Sequence, residues 1–248
     1  MANIIIGSAP QVFHLPLGLP AFCASEVLEC CKVLKSQREI SEKVRDSTNF
    51  SSFVVDEKIV RNLDSGLPNQ DDTNFFEYIK RVTQQFDAKE FSYIINNFQI
   101  VCPNYFQEIL NWLLPRTTNE ISSLISKRIT DNHGIMLTAI FGHYSIGVNH
   151  IHRDPNNNFT IPIIGKKEML LWPKEPITNN PSGHLNGEIK DMAKLKLEAS
   201  QGDLMFWPHT WWHCAGNKNA TLVASLVLGV VDKNGKRSTL RRLPAFSD

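Results

Sequence analysis

Ile135-Met136-Leu137-Thr138-Ala139-Ile140-Phe141, Phe159-Thr160-Ile161-Pro162-Ile163-Ile164 and Met169-Leu170-Leu171-Trp172 decide the fold. Each run is apolar, rich in β-branched or aromatic residues, and about the length of one strand. Three more follow at Leu195–Glu198, Leu204–Trp207 and Thr221–Val231, with Pro181-Ser182-Gly183 and Gln201-Gly202-Asp203 as punctuation. Many short strands broken by Gly, Pro and Asn fit a β-sandwich or barrel.

Upstream of Gly134 the periodicity is helical. Phe75, Ile79, Val82 and Phe86 recur at helical spacing behind Thr73, which can cap the helix. A second helix is expected from Asn104, with Phe106, Ile109, Leu110 and Leu113 on one side and Pro115 as its stop. Thr117 and Glu120 form a capping-box pattern ahead of Ile121, Leu124 and Ile125. Phe91-Ser92-Tyr93-Ile94-Ile95 reads as a strand among these helices. The sequence thus predicts a mostly helical part over 1–130 that supports a β-barrel over 131–232. A basic tail over 233–248 carries Lys233, Lys236, Arg237, Arg241 and Arg242 and is expected to be solvated.

The bulk numbers exclude little and bias little. At 248 residues, with 42% hydrophobic and 21% charged residues, the chain suits one large domain with a sizeable core. A formal net charge of +1 gives no electrostatic pull toward nucleic acid or an acidic membrane. No apolar run approaches the roughly 20 residues of a membrane span, and the apolar Ile4-Ile5-Ile6 start lacks the basic flank of a signal peptide. Cys23, Cys30, Cys31, Cys102 and Cys214 form no CxxC or zinc-type spacing, so buried thiols in a reducing, cytoplasmic compartment are expected. The sequons at Asn49, Asn158 and Asn219 are then chance matches.

Among eight histidines, two stand in patterns that carry chemistry. In His152-Arg153-Asp154, an extended backbone turns residues i and i+2 to one face, so an imidazole and a carboxylate converge. The second is His213, which ends Gly202-Asp203-Leu204-Met205-Phe206-Trp207-Pro208-His209-Thr210-Trp211-Trp212-His213. Two imidazoles and one carboxylate make a facial triad that leaves adjacent positions of an octahedral metal open. A structural zinc site would want a closed set. Lys167, in Gly165-Lys166-Lys167-Glu168-Met169-Leu170-Leu171-Trp172-Pro173, is costly inside a barrel unless it meets an anion. Lys166 alternates to the other face and is expected in solvent.

Val148–Pro173 resembles the first half of a JmjC domain, in the branch of small JmjC and cupin-like hydroxylases that depend on Fe(II) and 2-oxoglutarate. That family's HxD, its Asn four residues later and its GxKxWxLxxP are met by His152, Asp154, Asn158, Gly165, Lys167, Leu171 and, one place early, Pro173. Met169 stands where the family has Trp. The family's GDxxFxPxxWxH is met by Gly202, Asp203, Phe206, Pro208, Trp211 and His213. The resemblance spans roughly 134–232 and implies a mainly β fold with α, a double-stranded β-helix (jelly-roll/cupin) barrel with an N-terminal helical layer.

What the resemblance implies for the site can be stated residue by residue. His152, Asp154 and His213 would ligate Fe(II), and Lys167 would pair with the distal carboxylate of 2-oxoglutarate. Tyr93 would hold the same carboxylate, with a core aromatic as the competing reading. Asn149 stands where the family has a Thr in contact with the cosubstrate, Asn158 would bond near it, and Ser225 would face it. Trp207, Trp211 and Trp212 are expected to wall the barrel. The implied activity is hydroxylation of a protein or peptide side chain with O2, and neither nucleic acid nor membrane is expected as a partner. Hydroxylation of a free amino acid or small intermediate is the alternative substrate class. A non-catalytic metal- or ligand-binding cupin is the alternative of a different kind. The oligomeric state stays open.

Overall fold

The computed structural model describes residues 9–14, 23–36, 52–131, 133–146, 151–176, 193–232, 234 and 238–239. Among the described residues four helices precede the strands of the jelly roll: α1 (Ala24–Ser36), α2 (Phe75–Phe86), α3 (Pro103–Leu113) and α4 (Asn119–Thr130). Two of them start one residue later than the sequence predicts. Asn74, not Thr73, caps α2, its side chain accepting from the Phe76 and Glu77 amides at 2.9 and 3.1 Å. Thr118, not Thr117, caps α4, while Thr117 bonds the Ser122 hydroxyl at 2.7 Å. Among the described residues no helix is long and apolar enough to cross a membrane.

The strands are β1 (Gln11–His14), β2 (Ser52–Val55), β3 (Lys58–Ile59), β4 (Phe91–Ile95), β5 (Ile135–Ile146), β6 (His152–Arg153), β7 (Asn156–Ile164), β8 (Lys166–Trp172), β9 (Leu195–Ser200), β10 (Asp203–Trp207), β11 (Trp212–Val231) and β12 (Ser238–Thr239). The large sheet runs β1-β10-β7-β11-β5-β4-β2-β3. The small one runs β9-β8-β11-β6-β12. From β5 to β8 the chain alternates between them, β9 stays beside β8 in the small sheet, β10 returns to the large one, and β11 belongs to both. Its first residues pair with β6 and β8, its last with β5 and β7. That alternation is the jelly roll: mainly β with helices, two sheets face to face with a space between.

The N-terminal part does more than supply helices. β1 adds to one edge of the large sheet through β10, and β4, β2 and β3 extend the other through β5. Gly142 permits the β4–β5 contact, since a Cβ there would stand 2.2 Å from the Phe91 carbonyl oxygen. The helices cover the outer face of this sheet. Phe53, Phe75, Tyr78, Phe91 and Phe141 are all buried there, with Phe75, Tyr78 and Phe91 edge-on to their neighbours. Burial of side chains this size stabilises by about 1.5–3 kcal/mol each.

One expectation is corrected. Cys30 on α1 and Cys102, just before α3, are disulfide-bonded, their Cα atoms 6.3 Å apart, so the five cysteines are not all thiols. The packing of these helices brings together residues 72 apart in sequence, which no local spacing could signal. In the tail, Ser238 and Thr239 pair with Arg153 and His152. The remaining tail residues named above lie outside the described residues.

Candidate metal centre

β6 and β11 place the two histidines directly across from one another in the small sheet, His213 opposite His152. Their rings are 4.2 Å apart. Asp154 follows β6, and its Oδ2 lies 3.6 Å from His152 Nε2 and 3.4 Å from His213 Nε2. One ligand atom from each residue falls within 4.8 Å of the others, and among the described residues no fourth His, Cys, Asp or Glu joins them. The motif around His213 is built by turns. Asp203 closes the β9–β10 turn by accepting the Ser200 amide at 2.7 Å, and the Trp211 amide bonds the Pro208 carbonyl at 3.1 Å to launch β11.

The electrostatics suit a cation. Burial raises the Asp154 pKa, but the two histidines beside it outweigh burial and hold the carboxyl well below its ordinary range. Burial, reinforced by His152, lowers the pKa of His213, so its imidazole is neutral at pH 7. His213 Nδ1 lies 3.3 Å from the Trp211 carbonyl and donates to it, which leaves Nε2 as the acceptor facing Asp154. Two imidazole nitrogens and one carboxylate oxygen, with no thiolate, fit an octahedral ion of the Fe(II) type.

Lys167 lies on β8 with 3% of its surface exposed. Gly165 aims it: at φ +74° it turns β7 into β8, and a Cβ there would stand 2.1 Å from the Leu222 carbonyl oxygen. The Lys167 ammonium donates to the Tyr144 hydroxyl at 2.8 Å and lies 5.3 Å from that ring. No carboxylate among the described residues pairs with it. A lysine buried with a phenol as its partner lacks the anion that would offset its burial. Lys166, one residue along, is exposed and pairs with Glu198 on the outside.

The expected Tyr93 role does not survive. Tyr93 pairs with Phe141 and stacks on it at 5.5 Å, and its hydroxyl donates to the Leu63 carbonyl at 3.0 Å. It belongs to the core on the outer face of the large sheet, so its competing reading as a core aromatic holds. Tyr144, which the sequence reading missed, is the tyrosine at Lys167. The signal was its parity on β5, since every second residue of a strand faces one side.

Asn158 sits inside the barrel opposite Trp207 and donates to the Asn156 carbonyl at 3.3 Å. Ser225 stands opposite Pro162 and Ile140, its hydroxyl buried with no partner. Asn149 lies outside the described residues. Trp207 lines the interior with Met169, Leu171, Leu197 and Met205, while Trp212 packs with Leu170 and Trp172 on the other side of the small sheet. Thr160 Oγ1 and Trp207 Nε1 are buried without partners too. Orphaned donors facing one interior suit an oxygen-rich ligand.

No family model matches the chain, and no curated protein does. Among solved structures, the chain is similar to the coconut allergen cocosin at 9% identity and a TM-score of 0.30, over 43% of this chain and 24% of that one. It is also similar to vicilin from Corylus avellana (hazelnut) at 11% identity and a TM-score of 0.32, over 46% of this chain and 28% of that one. The chain therefore spans about a quarter of the length of each of these structures.

Proposed function

We propose that this protein is an Fe(II)- and 2-oxoglutarate-dependent dioxygenase that hydroxylates a side chain of a protein or peptide. One observation carries the reading: a two-histidine, one-carboxylate set and a buried lysine without an anionic partner share one barrel interior. A metal-binding scaffold needs the first and has no use for the second.

His152, Asp154 and His213 would hold the iron by one face, leaving positions for 2-oxoglutarate and O2. Bound iron and 2-oxoglutarate supply oxidation of a substrate C–H bond to an alcohol, with succinate and CO2 as co-products. The chain's own part is placement. Lys167 and Tyr144 would receive the distal carboxylate, a charge-assisted pair in a water-poor interior. The Trp211 carbonyl fixes the His213 tautomer, and the apolar wall of Met169, Leu171 and Met205 excludes water. A small-molecule substrate is the second form of this reading. Nothing in the barrel interior separates the two, because the substrate would approach from outside it.

The test is anaerobic titration of the apo-protein with Fe(II) and 2-oxoglutarate, followed by the visible charge-transfer band of the chelate. Wild type should show the band and Asp154→Ala should not. Lys167→Ala should need far more 2-oxoglutarate, since removing one partner of a buried pair costs roughly 3–5 kcal/mol. Metal binding without a band would make the barrel a non-catalytic metal-binding protein.

A further inference from the structure

We propose that the outer face of the small sheet, on the reverse of the strand that carries His152, docks an acidic stretch of a partner polypeptide. Strand alternation puts Arg153 on that face, since its neighbours His152 and Asp154 turn inward. His213 stands opposite His152, so Arg153 stands opposite Trp212, and Trp212 in turn stands opposite Trp172. Lys194 comes next, its amide donating to the Leu171 carbonyl at 3.0 Å just before β9. Arg153, Trp212, Trp172 and Lys194 therefore make one row across β6, β11, β8 and the start of β9. Its inter-strand gaps add up to about 14 Å, the reach of roughly four or five extended residues.

The side chains of the row offer donors and no acceptor. The Arg153 guanidinium lies over the Trp212 ring, its carbon 5.6 Å from the ring centre. Arg153 Nε and Trp172 Nε1 are buried without a partner. Lys194 is exposed, and among the described residues no carboxylate pairs with it or with Arg153. The other end of the same face is complete. There Lys166 pairs with Glu198, and Lys196 pairs with Glu168 and Glu198 at 2.7 and 3.0 Å. Cations at that end are neutralised within the chain, while those of the row are left for the acids of a partner. A guanidinium, an ammonium and an indole N–H can only donate, so an acceptor completes them. The length of the row suits an extended peptide with more than one carboxylate. Nucleic acid suits it less: Trp212 and Trp172 are 3% and 4% exposed, so neither ring has a free face on which a base could stack.

The full chain is titrated at low ionic strength against a fluorescein-labelled oligoglutamate peptide, with anisotropy as the readout, in wild type, Arg153→Gln, Lys194→Gln and Lys166→Gln. Arg153→Gln should raise the dissociation constant about tenfold, the scale of a lost charge-assisted hydrogen bond. Lys194→Gln should raise it about two- to threefold, as an exposed pair does. Lys194 is exposed, so its variant tests the row even where Arg153→Gln fails to fold. Lys166→Gln removes the same charge at the completed end and should bind as wild type does. The peptide needs neither Fe(II) nor 2-oxoglutarate, so the result is independent of the proposed oxygenase activity. No binding by wild type overturns the docking face, and so does wild-type affinity in both Arg153→Gln and Lys194→Gln. An equal loss in Lys166→Gln also overturns it, because attraction to bulk charge would then suffice. Tighter binding of a labelled oligothymidylate, lost in the same two variants, would assign the row to nucleic acid and overturn the peptide.

Discussion

On its outer face the large sheet turns Leu137, Ala139, Phe141, Phe159 and Leu226 toward the helices; on its inner face, one residue along, it turns Ile140, Tyr144, Asn158, Thr160 and Ser225 toward the small sheet. Both faces are buried, but they are completed differently. Polar groups in the outer core have partners: the Tyr78 hydroxyl donates to Gly66 at 2.7 Å, that of Tyr93 to Leu63 at 3.0 Å, and Arg81 pairs with Asp72 at 2.9 Å. Among the described residues, the inner side holds buried side-chain atoms without a partner at Thr160, Trp207 and Ser225, while Arg153 and Trp172 have such atoms on the far side of the small sheet. An interior built only for stability does not leave such groups unmet. The outer face holds the fold, and the inner face is where the proposed ligand would find donors.

Phe141→Ala tests that division most severely. Its ring is buried against Phe75, Tyr78 and Tyr93, so truncation should cost about 3–5 kcal/mol of unfolding free energy in urea denaturation. Protein that stays folded should bind Fe(II) as wild type does. A loss under about 1 kcal/mol would mean the outer face is not the stabilising one.

The two tyrosines sharpen the comparison at a smaller scale. Tyr93→Phe leaves the Leu63 carbonyl without its partner and should cost about 1–3 kcal/mol of stability, with 2-oxoglutarate affinity unchanged. Tyr144→Phe should do the opposite: weaken 2-oxoglutarate severalfold, on the order of one hydrogen bond, and leave the unfolding midpoint nearly where it was. The reverse pattern in either variant would put the anion site on the wrong side of the sheet.

These two residues also mark where the sequence stops being legible. The metal triad can be read because its chemistry needs particular residue types, and His152-Arg153-Asp154 is local. A β-sandwich or barrel can be read because apolar runs of strand length recur between turn residues; the jelly roll follows only from the resemblance. Tyr93 and Tyr144 sit on neighbouring strands, and which of them meets Lys167 depends on strand parity and on how β7 turns into β8, both set by pairing far along the chain. The cap shifts at Asn74 and Thr118 arise differently: each helix is preceded by two cap-competent residues, and only the backbone angles choose between them. β1 and β3 are four and two residues long and carry no periodicity to detect. The Cys30–Cys102 pairing needs helix packing to be known first.

The smallest expected effect concerns the small sheet alone. β6 is two residues long and carries His152 between two partners, His213 on one side and Thr239 on the other. Shortening the chain after Asp232 removes β12 and turns β6 into an edge strand, with one side of the ligand-bearing backbone open to water. The loss of one or two backbone hydrogen bonds, each about 0.5–1.5 kcal/mol net, should weaken Fe(II) binding about five- to tenfold. The outer core is untouched by this deletion, so the urea midpoint should barely move. Thr239→Pro in the full chain should reproduce the loss, because proline cannot hold a paired strand position. Equal Fe(II) affinity in all three proteins would mean that β11 alone holds His152 in place.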